Sequence, residues 1–371
     1  MTKCGARIYW IDGLRGFACL RGHNMQTNTT RDKTIDFIKG ILILFVILGH
    51  TTLGLTDIYS FDDTMNGIAN VIYSFHMPCF IAVSGFLYSE YVGNASQGIF
   101  SRIGHKAFNI LLPYVMISVI YWIIKFALSN LIREPVAVSS LISIPWKPIE
   151  FLWYLYALFL IYCVAYMADY VFARLLPHFN YKMELLFVMF LIIAFTCYGS
   201  FHYVGFNYIA GFQMYFYLGC LIKKWIDKLD NRYAVLSLAV MSVLVEASGI
   251  VLQDDMSSNP FFSSLFERLT ACILTVFIFA VSYFLSGYCD FPKWLQTIGR
   301  DSMPFYAMNV IFVGGIRIIL NRAGITNMAL QCICGFAGST AICWILYECI
   351  IKKIRFINFI FYPGKQLHIR K

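Results

Sequence analysis

The sequence predicts an all-α fold, a polytopic integral-membrane bundle of about ten transmembrane helices. Of its 371 residues, 59% are hydrophobic and only 13% are charged, whereas about 25% of the residues of a soluble domain are charged. Ten apolar runs are long enough, or nearly so, to cross about 30 Å of hydrocarbon. Lysine and arginine also cluster on alternate connections between these runs. These observations exclude a large soluble core.

The apolar runs follow one another along the chain, separated by polar connections. Two of them, 184–200 and 207–222, are short and interrupted by glycine, so they are the least secure members of the series. The predicted spans are 35–55, 68–88, 107–132, 151–173, 184–200, 207–222, 234–252, 269–287, 303–320 and 329–351.

The basic residues predict the orientation of the bundle. With the N-terminus in the cytoplasm, most Lys and Arg residues fall on even-numbered connections and on the C-terminal tail, while the first outer loop carries Asp57, Asp62 and Asp63. Membrane proteins keep basic residues on the cytoplasmic side, so both termini are predicted to be cytoplasmic. The net charge of +9 therefore indicates contact with anionic lipid headgroups and cytoplasmic anions, and not with nucleic acid.

One membrane domain, 31–355, is predicted to make up most of the chain, followed by a basic cytoplasmic tail at 356–371. Residues 1–30 are predicted to be an extension outside the functional fold, because their apolar run breaks at Arg21 before it could cross a bilayer. Met25 would then be the natural start. A remnant of a duplicated or neighbouring gene and an interfacial helix are alternative interpretations.

Ionisable residues lie inside the first predicted span, in Thr34–His50. A charge at the bilayer centre costs roughly 2.5–3.5 kcal/mol by insertion scales, so such residues are rare and usually functional. His50 follows Lys39 by eleven residues, which places the two side chains within about 20° of each other on a helix and about 16 Å apart along its axis. Asp36 lies near the same stripe. One helix face therefore presents a cation near one surface and an imidazole well inside.

His50 is the first candidate for catalysis, because a neutral imidazole can accept a proton from a hydroxyl near pH 7. The alternative is a buried histidine satisfied by a neighbouring carbonyl or hydroxyl. Lys39 could instead extend to the membrane surface and help to set topology. Asp36 could pair with Lys39 or favour the helix N-terminus.

The second predicted span carries His76 close to Pro78, with Ser84 and Gly85 further along. This span enters from the opposite side, so His76 and His50 reach a similar depth and could line one cavity. Alternatively, His76 bonds to backbone that Pro78 has released, and Ser84 and Gly85 only allow close packing of helices.

Three further charges are predicted inside the membrane, at Lys125, Glu246 and Arg317. Arg317 could pair with Glu246 or bind an anionic group of a substrate. Each of the three could equally lie nearer an interface. The twelve cysteines show no paired zinc-ligand spacing and are interpreted as apolar packing residues.

Four motifs in order give a resemblance to a known family. They are Ile-Asp-Phe-Ile-Lys-Gly…Leu-Gly-His at 35–50, Phe-His-Met-Pro…Ser-Gly-Phe at 75–86, a basic passage into Leu-Leu-Pro-Tyr at 101–114, and Phe-Leu-Trp-Tyr-Leu at 151–155. Over about residues 31–350 the chain resembles acyltransferase family 3, integral-membrane enzymes that acylate carbohydrates. The His-Met-Pro motif is most similar to the branch described as fucose 4-O-acetylase-like. The resemblance implies a catalytic role for His50, with Lys39 as the basic residue that characteristically precedes it.

The sequence departs from the family pattern at two places. The family's approach to the third span is usually richer in arginine than the passage that holds Arg102 and Lys106 here. The late motif that begins at Ile298 commonly leads to a histidine, where this chain has Asn309. A role that rests on that later histidine is therefore in doubt, although Asn309 can donate and accept hydrogen bonds.

The resemblance implies transfer of an acyl group, expected to be acetyl, from cytoplasmic acyl-CoA to a carbohydrate hydroxyl. Lys39, Arg102 and Lys106 would bind the CoA phosphates, and His50 would deprotonate the hydroxyl. His76 or Asn309 would orient the acceptor or stabilise the oxyanion. Asp36, Ser84 and Arg317 are further candidates for binding or orienting a substrate. Acyl-CoA is a co-substrate, no permanent cofactor or metal is needed, and the expected location is a bacterial inner membrane, among lipids.

Two other classes of function remain. A transporter or flippase for a lipid-linked glycan would also have many helices and buried charges, but such proteins often show inverted repeats, and none is evident after residue 25. A non-catalytic scaffold or sensor would not explain why Lys39 and His50 lie in register.

Overall fold

The computed structural model describes residues 32–56, 63–89, 98–127, 129, 138–197, 199–201, 203–229, 231–251 and 260–367. Over these ranges all the regular secondary structure is helical and there is no strand, which confirms the all-α class. The predicted N-terminal extension at 1–30 lies outside the described residues.

Within the described residues, eight segments are long and apolar enough to cross a membrane. Each coincides with a predicted span, so the multi-pass membrane architecture is confirmed. The helices of these segments are α1 (Lys33–Thr56), α2 (Asp63–Ser89), α3 (Ile99–Lys106) continuing through a π-helical turn (Ala107–Leu111) into α4 (Leu112–Ala127), α6 (Trp153–Leu175), α9 (Arg232–Val251), α10 (Pro260–Ser286), α12 (Ser302–Arg322), and α13 (Met328–Leu346) with the π-helical turn Tyr347–Ile351.

The predicted spans 184–200 and 207–222 also form helices, but one is too short and the other is not apolar enough to count as a membrane-spanning helix. The helix α7 (Lys182–Thr196) has 15 residues and is about 22 Å long, shorter than the hydrocarbon core. The helix α8 (Val204–Leu229) has 26 residues, but Asn207, Gln213, three tyrosines and three glycines lower the hydropathy of its uncharged part, 204–222. By length and composition, the described chain has eight spans where the sequence predicted ten.

Short helices connect and close the bundle. They are α5 (Val138–Ser143), a 3-10 turn (Glu150–Leu152), α11 (Lys293–Arg300), α14 (Arg355–Phe361) and α15 (Pro363–Leu367). Ile360 and Phe361 are buried in the main core. The described part of the segment that the sequence assigned to a tail therefore packs against the membrane domain.

Glycines allow two pairs of helices to meet at backbone distance. A Cβ at Gly85 of α2 would overlap the carbonyl of Phe216 in α8, and a Cβ at Gly219 would overlap the carbonyl of Ala82. Between α1 and α11, a Cβ at Gly299 would overlap the carbonyl of Asp36. Small residues at helix crossings are the usual means of close packing in membranes, as predicted for Gly85.

Candidate active site

The first candidate site is a cavity of about 1310 Å³ on the side where α1 ends. Side chains from α1, α2, α8, α9, α10 and α12 line it, together with Phe151 and Trp153. We call it the histidine cavity, because His50 and His76 both line it. The two histidines that the sequence placed at a similar depth therefore share one cavity.

Tyr73 connects the two histidines. Its hydroxyl lies 3.2 Å from Nδ1 of His50, and its ring centroid lies 4.9 Å from that of His76, edge to face. Phe151 packs against the other side of His50, with 6.0 Å between ring centroids. These contacts hold the His50 ring in one orientation at the cavity wall.

A hydrogen bond to the backbone determines which ring nitrogen of His76 can still accept a hydrogen bond. Its Nδ1 lies 2.6 Å from the carbonyl oxygen of Ile72, and a carbonyl can only accept, so Nδ1 carries the proton. In the neutral ring, Nε2 then keeps its lone pair. His76 therefore bonds to the backbone, as one interpretation of the sequence expected. The carbonyl that lacks a donor because of Pro78 is that of Ser74, however, and not that of Ile72.

A second cavity, of about 220 Å³, lies on the side where α1 begins. Four lysine and arginine side chains line it, and we call it the lysine cavity. The four are Lys39, Lys106, Arg300 and Lys365. The α1 stripe predicted from the sequence thus joins two cavities, with Lys39 in one and His50 in the other, about 16 Å apart along the helix axis.

Met77 and Tyr306 line both cavities, and we call this shared wall the junction. The Tyr306 hydroxyl donates to the carbonyl of Phe151. The segment 151–155 runs along the same junction: Phe151 and Trp153 line the histidine cavity, and Tyr154 and Leu155 line the lysine cavity. This motif, weak as a sequence signal alone, lies where the two cavities join.

The two basic residues predicted from the third span differ in position. Lys106 lines the lysine cavity and places its Nζ 3.8 Å from the centre of the Tyr162 ring. Arg102 does not line it. Its guanidinium lies 3.7 Å from the carboxylate of Asp169 and over the Tyr166 ring. Of this pair, only Lys106 faces the space where the sequence placed a phosphate-binding role.

Asp36 and Ser84 also occupy different surroundings. Asp36 is buried where α1 packs against α11 and lines neither cavity. Ser84 lines the lysine cavity, and its hydroxyl donates to the carbonyl of Phe80 at 3.3 Å.

Asn309 and Arg317 both bond to backbone. Asn309 is fully buried, outside both cavities, and its amide donates to the carbonyls of Phe305 and Tyr306 at 3.0 and 2.6 Å. Arg317 donates to the carbonyl of Gly54 at 2.5 Å, near the C-terminal end of α1, where a cation is favourable. It does not pair with Glu246, which lines the histidine cavity.

A buried carboxylate near the lysine cavity was not among the sequence candidates. Asp301 accepts from Nε of Arg300 and Nζ of Lys365, both at 2.9 Å, and from the Tyr347 hydroxyl at 2.7 Å. Burial alone would raise the pKa of Asp301, but Lys365, Arg300 and Tyr347 lower it to about 2. The carboxylate is therefore ionised at neutral pH. Arg300 and Asp301 stand in the late motif, but nothing local in the sequence connects them with Lys365.

Together, the cavities are suited to a reaction between two different molecules. The lysine cavity favours an anionic molecule, whereas the histidine cavity offers imidazole nitrogens and aromatic rings. A reactive group that reached the junction at Met77 would come close to the histidines from the other side.

Comparison with known proteins gives one family and two relatives. The model of acyltransferase family 3, an acyltransferase domain, matches residues 32–348. The nodulation protein NolL of Mesorhizobium japonicum is 31% identical over 174 residues, which are 46% of this chain and 42% of that protein. The NolL of Sinorhizobium fredii is 42% identical over 96 residues, 25% of each chain. The matches thus span less than half the length of either relative, and no solved structure matches.

Proposed function

The chain belongs to acyltransferase family 3, and from this premise we propose that it transfers an acyl group, expected to be acetyl, from cytoplasmic acyl-CoA to a hydroxyl of a carbohydrate. The carbohydrate would be part of the cell surface or linked to a lipid, and the membrane a bacterial inner membrane. Assignment to the fucose 4-O-acetylase-like branch is part of the proposal and rests on the Phe-His-Met-Pro motif.

The junction of the two cavities at Met77 and Tyr306 carries the proposal. Acyl-CoA has a phosphorylated nucleotide at one end and a thioester at the other, joined by a thin flexible arm. Lys39 and Lys106 suit the anionic end. A cavity of about 220 Å³ is smaller than the roughly 300–1,000 Å³ that encloses a drug-sized ligand. It therefore suits the arm, while the nucleotide stays at its mouth.

The histidine cavity suits a carbohydrate. Sugars present hydroxyl groups and flat apolar faces, and pockets for such ligands combine aromatic walls with a few polar groups. Trp153, Phe212 and Tyr215 supply rings, and Glu246 and Glu267 supply carboxylates.

In the proposed reaction His50 acts as the general base. It accepts the proton of the acceptor hydroxyl, whose oxygen forms the new ester bond as the carbon–sulfur bond of the thioester breaks. The proton then passes from His50 to the departing sulfur. Tyr73, at Nδ1 of His50, holds the ring in position for this transfer.

We assign His76 to the acceptor and not to the oxyanion. Its Nδ1–H is engaged with Ile72, so Nε2 of the neutral ring can only accept a hydrogen bond, and a substrate hydroxyl is the partner that it fits. Asn309 is left out of the mechanism, because it faces neither cavity.

The test is transfer of labelled acetyl from acetyl-CoA to candidate glycans by the purified full chain in sealed vesicles. Acetyl-CoA is supplied on one side at a time, and we expect transfer only when it is present on the side of Lys39. Movement of unmodified glycan across the vesicle without transfer would favour the transporter instead.

Lys39→Ala is expected to raise the KM for acyl-CoA about tenfold with little change in kcat. A charge-assisted hydrogen bond contributes about 1.5–3 kcal/mol, and a tenfold change corresponds to about 1.4 kcal/mol. Steady-state kinetics in detergent would measure it, with Lys125→Ala as the control, because Lys125 lies on α4 and does not line the lysine cavity. An unchanged KM would remove Lys39 from the donor site.

Met77→Ala is expected to widen the range of acyl groups that are transferred. Met77 is buried at the junction, and one methylene in an apolar pocket is worth about 10–200-fold in selectivity. We expect butyryl transfer to rise about tenfold relative to acetyl transfer when both donors compete. Met167→Ala, at an exposed position of α6, should leave the ratio unchanged. An unaltered ratio in Met77→Ala would show that the junction does not select the acyl group.

A further inference from the structure

The four basic residues of the lysine cavity come from distant parts of the chain. Lys39 and Lys106 belong to α1 and α3, whereas Arg300 ends α11 and Lys365 lies in α15. The side chains of Arg300 and Lys365 are 41% and 42% exposed. These two cations therefore stand at the mouth of the cavity, where its contents meet solvent.

Asp301 fixes both of these cations. Its side chain is only 7% exposed and bonds to Arg300 on one oxygen and to Lys365 on the other. The Tyr347 hydroxyl adds a third bond. Asp301 carries one negative charge and its partners Arg300 and Lys365 carry one positive charge each, and the exposed parts of both cationic side chains can donate to another anion.

The chain around Lys365 is packed and not merely tethered by the ion pair. Phe361 is buried, and Phe361 and Tyr362 line the lysine cavity together with Lys365. Gly364 lies against the side chain of Asn109, with no room for a Cβ. The short helices α14 and α15 thus form one wall of the cavity, and Asp301 holds that wall through Lys365.

We propose that 355–367 completes the donor site, with Lys365 and Arg300 binding the phosphates of acyl-CoA and Asp301 acting as the positioning residue for both. This inference rests on the proposed function. The narrow cavity leaves the phosphorylated nucleotide at the mouth, and phosphate groups are best bound by several cations with fixed geometry. Lys39 and Lys106 lie further inside, where they suit the phosphate that joins the nucleotide to the arm.

The test compares two donors in the full chain: acetyl-CoA and S-acetylpantetheine, which has the same thioester arm but no phosphates. For Lys365→Ala we expect the KM for acetyl-CoA to rise about tenfold, with kcat and all constants for acetylpantetheine unchanged. Asp301→Asn should show the same selective rise, because both cations lose their anchor. Lys365→Arg should restore use of acetyl-CoA.

Lys352→Ala serves as the control, because Lys352 pairs with Glu348 away from the cavity; both donors should be used as in the wild type. An equal loss with both donors in Lys365→Ala would mean that the segment only supports the fold, and an unchanged KM would mean that its cation does not reach the donor. Either result overturns the inference while the proposed function stands. If the wild type uses neither donor, the proposed function fails and the inference fails with it.

Discussion

Replacing His50 by alanine is expected to lower kcat about a thousandfold while the protein stays folded. General-base catalysis by a positioned side chain contributes about 10²–10⁴-fold, and in the proposed reaction His76 orients the acceptor and does not take its proton. His50 lines a cavity and bonds to the Tyr73 hydroxyl. In the variant, water can replace His50 as the hydrogen-bond partner of the Tyr73 hydroxyl, so the effect on folding should be small. Initial rates of acetyl transfer at saturating donor and acceptor would measure the loss.

The matched control is His178→Ala, since His178 is exposed in the connection after α6. It should transfer at the wild-type rate. The thermal midpoint and the elution volume in detergent should be the same for both variants and the wild type. Transfer by His50→Ala within tenfold of the wild type would show that another group is the base.

A valine at Gly85 is expected to prevent the protein from accumulating. The new Cβ would overlap the carbonyl of Phe216, and because that atom belongs to the backbone of α8, a change of rotamer cannot relieve the contact. The two helices would have to separate along their crossing. Overpacking a core side chain costs about 1–3 kcal/mol, and moving two helix backbones apart should exceed this range. Total stabilities are about 5–15 kcal/mol, so much of the folded population would be lost.

The matched control is Gly314→Val on α12, where a Cβ would meet nothing within 4 Å. It makes the same substitution inside another membrane helix, without the clash. The yield of monodisperse protein after detergent extraction and its thermal midpoint would be measured for both variants. Equal yields would mean that α2 and α8 do not depend on this close approach.

The helices and the α1 stripe could be predicted because both depend on neighbouring residues. Hydropathy over one span predicts a membrane helix, and the rigid geometry of a helix relates Lys39 to His50 without knowledge of the rest of the fold. Predicting that His50 and His76 share a cavity needed one more assumption, that two successive spans run in opposite directions through the membrane. These predictions agree with the structure because they depend little on contacts between residues that are far apart in the sequence.

The residues that differed from expectation depend on distant partners. Arg102 looks like a phosphate-binding residue in its own motif, but its guanidinium lies 3.7 Å from Asp169 on the next long helix and does not line the lysine cavity. Asp301 and Lys365 are 64 residues apart, with no periodic pattern between them. Asn309 is an exception, because its amide bonds to carbonyls of its own helix, but whether it faces a cavity depends on how that helix packs. The length of α7 depends on where its backbone turns, which hydropathy does not determine.

The junction at Met77 and Tyr306 has a consequence for the proton gradient across the membrane. In the proposed reaction neither the nucleotide nor the sugar passes between the cavities, and only a group of a few atoms does. The two side chains can therefore stay packed around that group, and Tyr306 can keep its bond to Phe151. In that reaction the membrane would stay closed to protons during turnover, and the released CoA would stay on the side where it is acylated again.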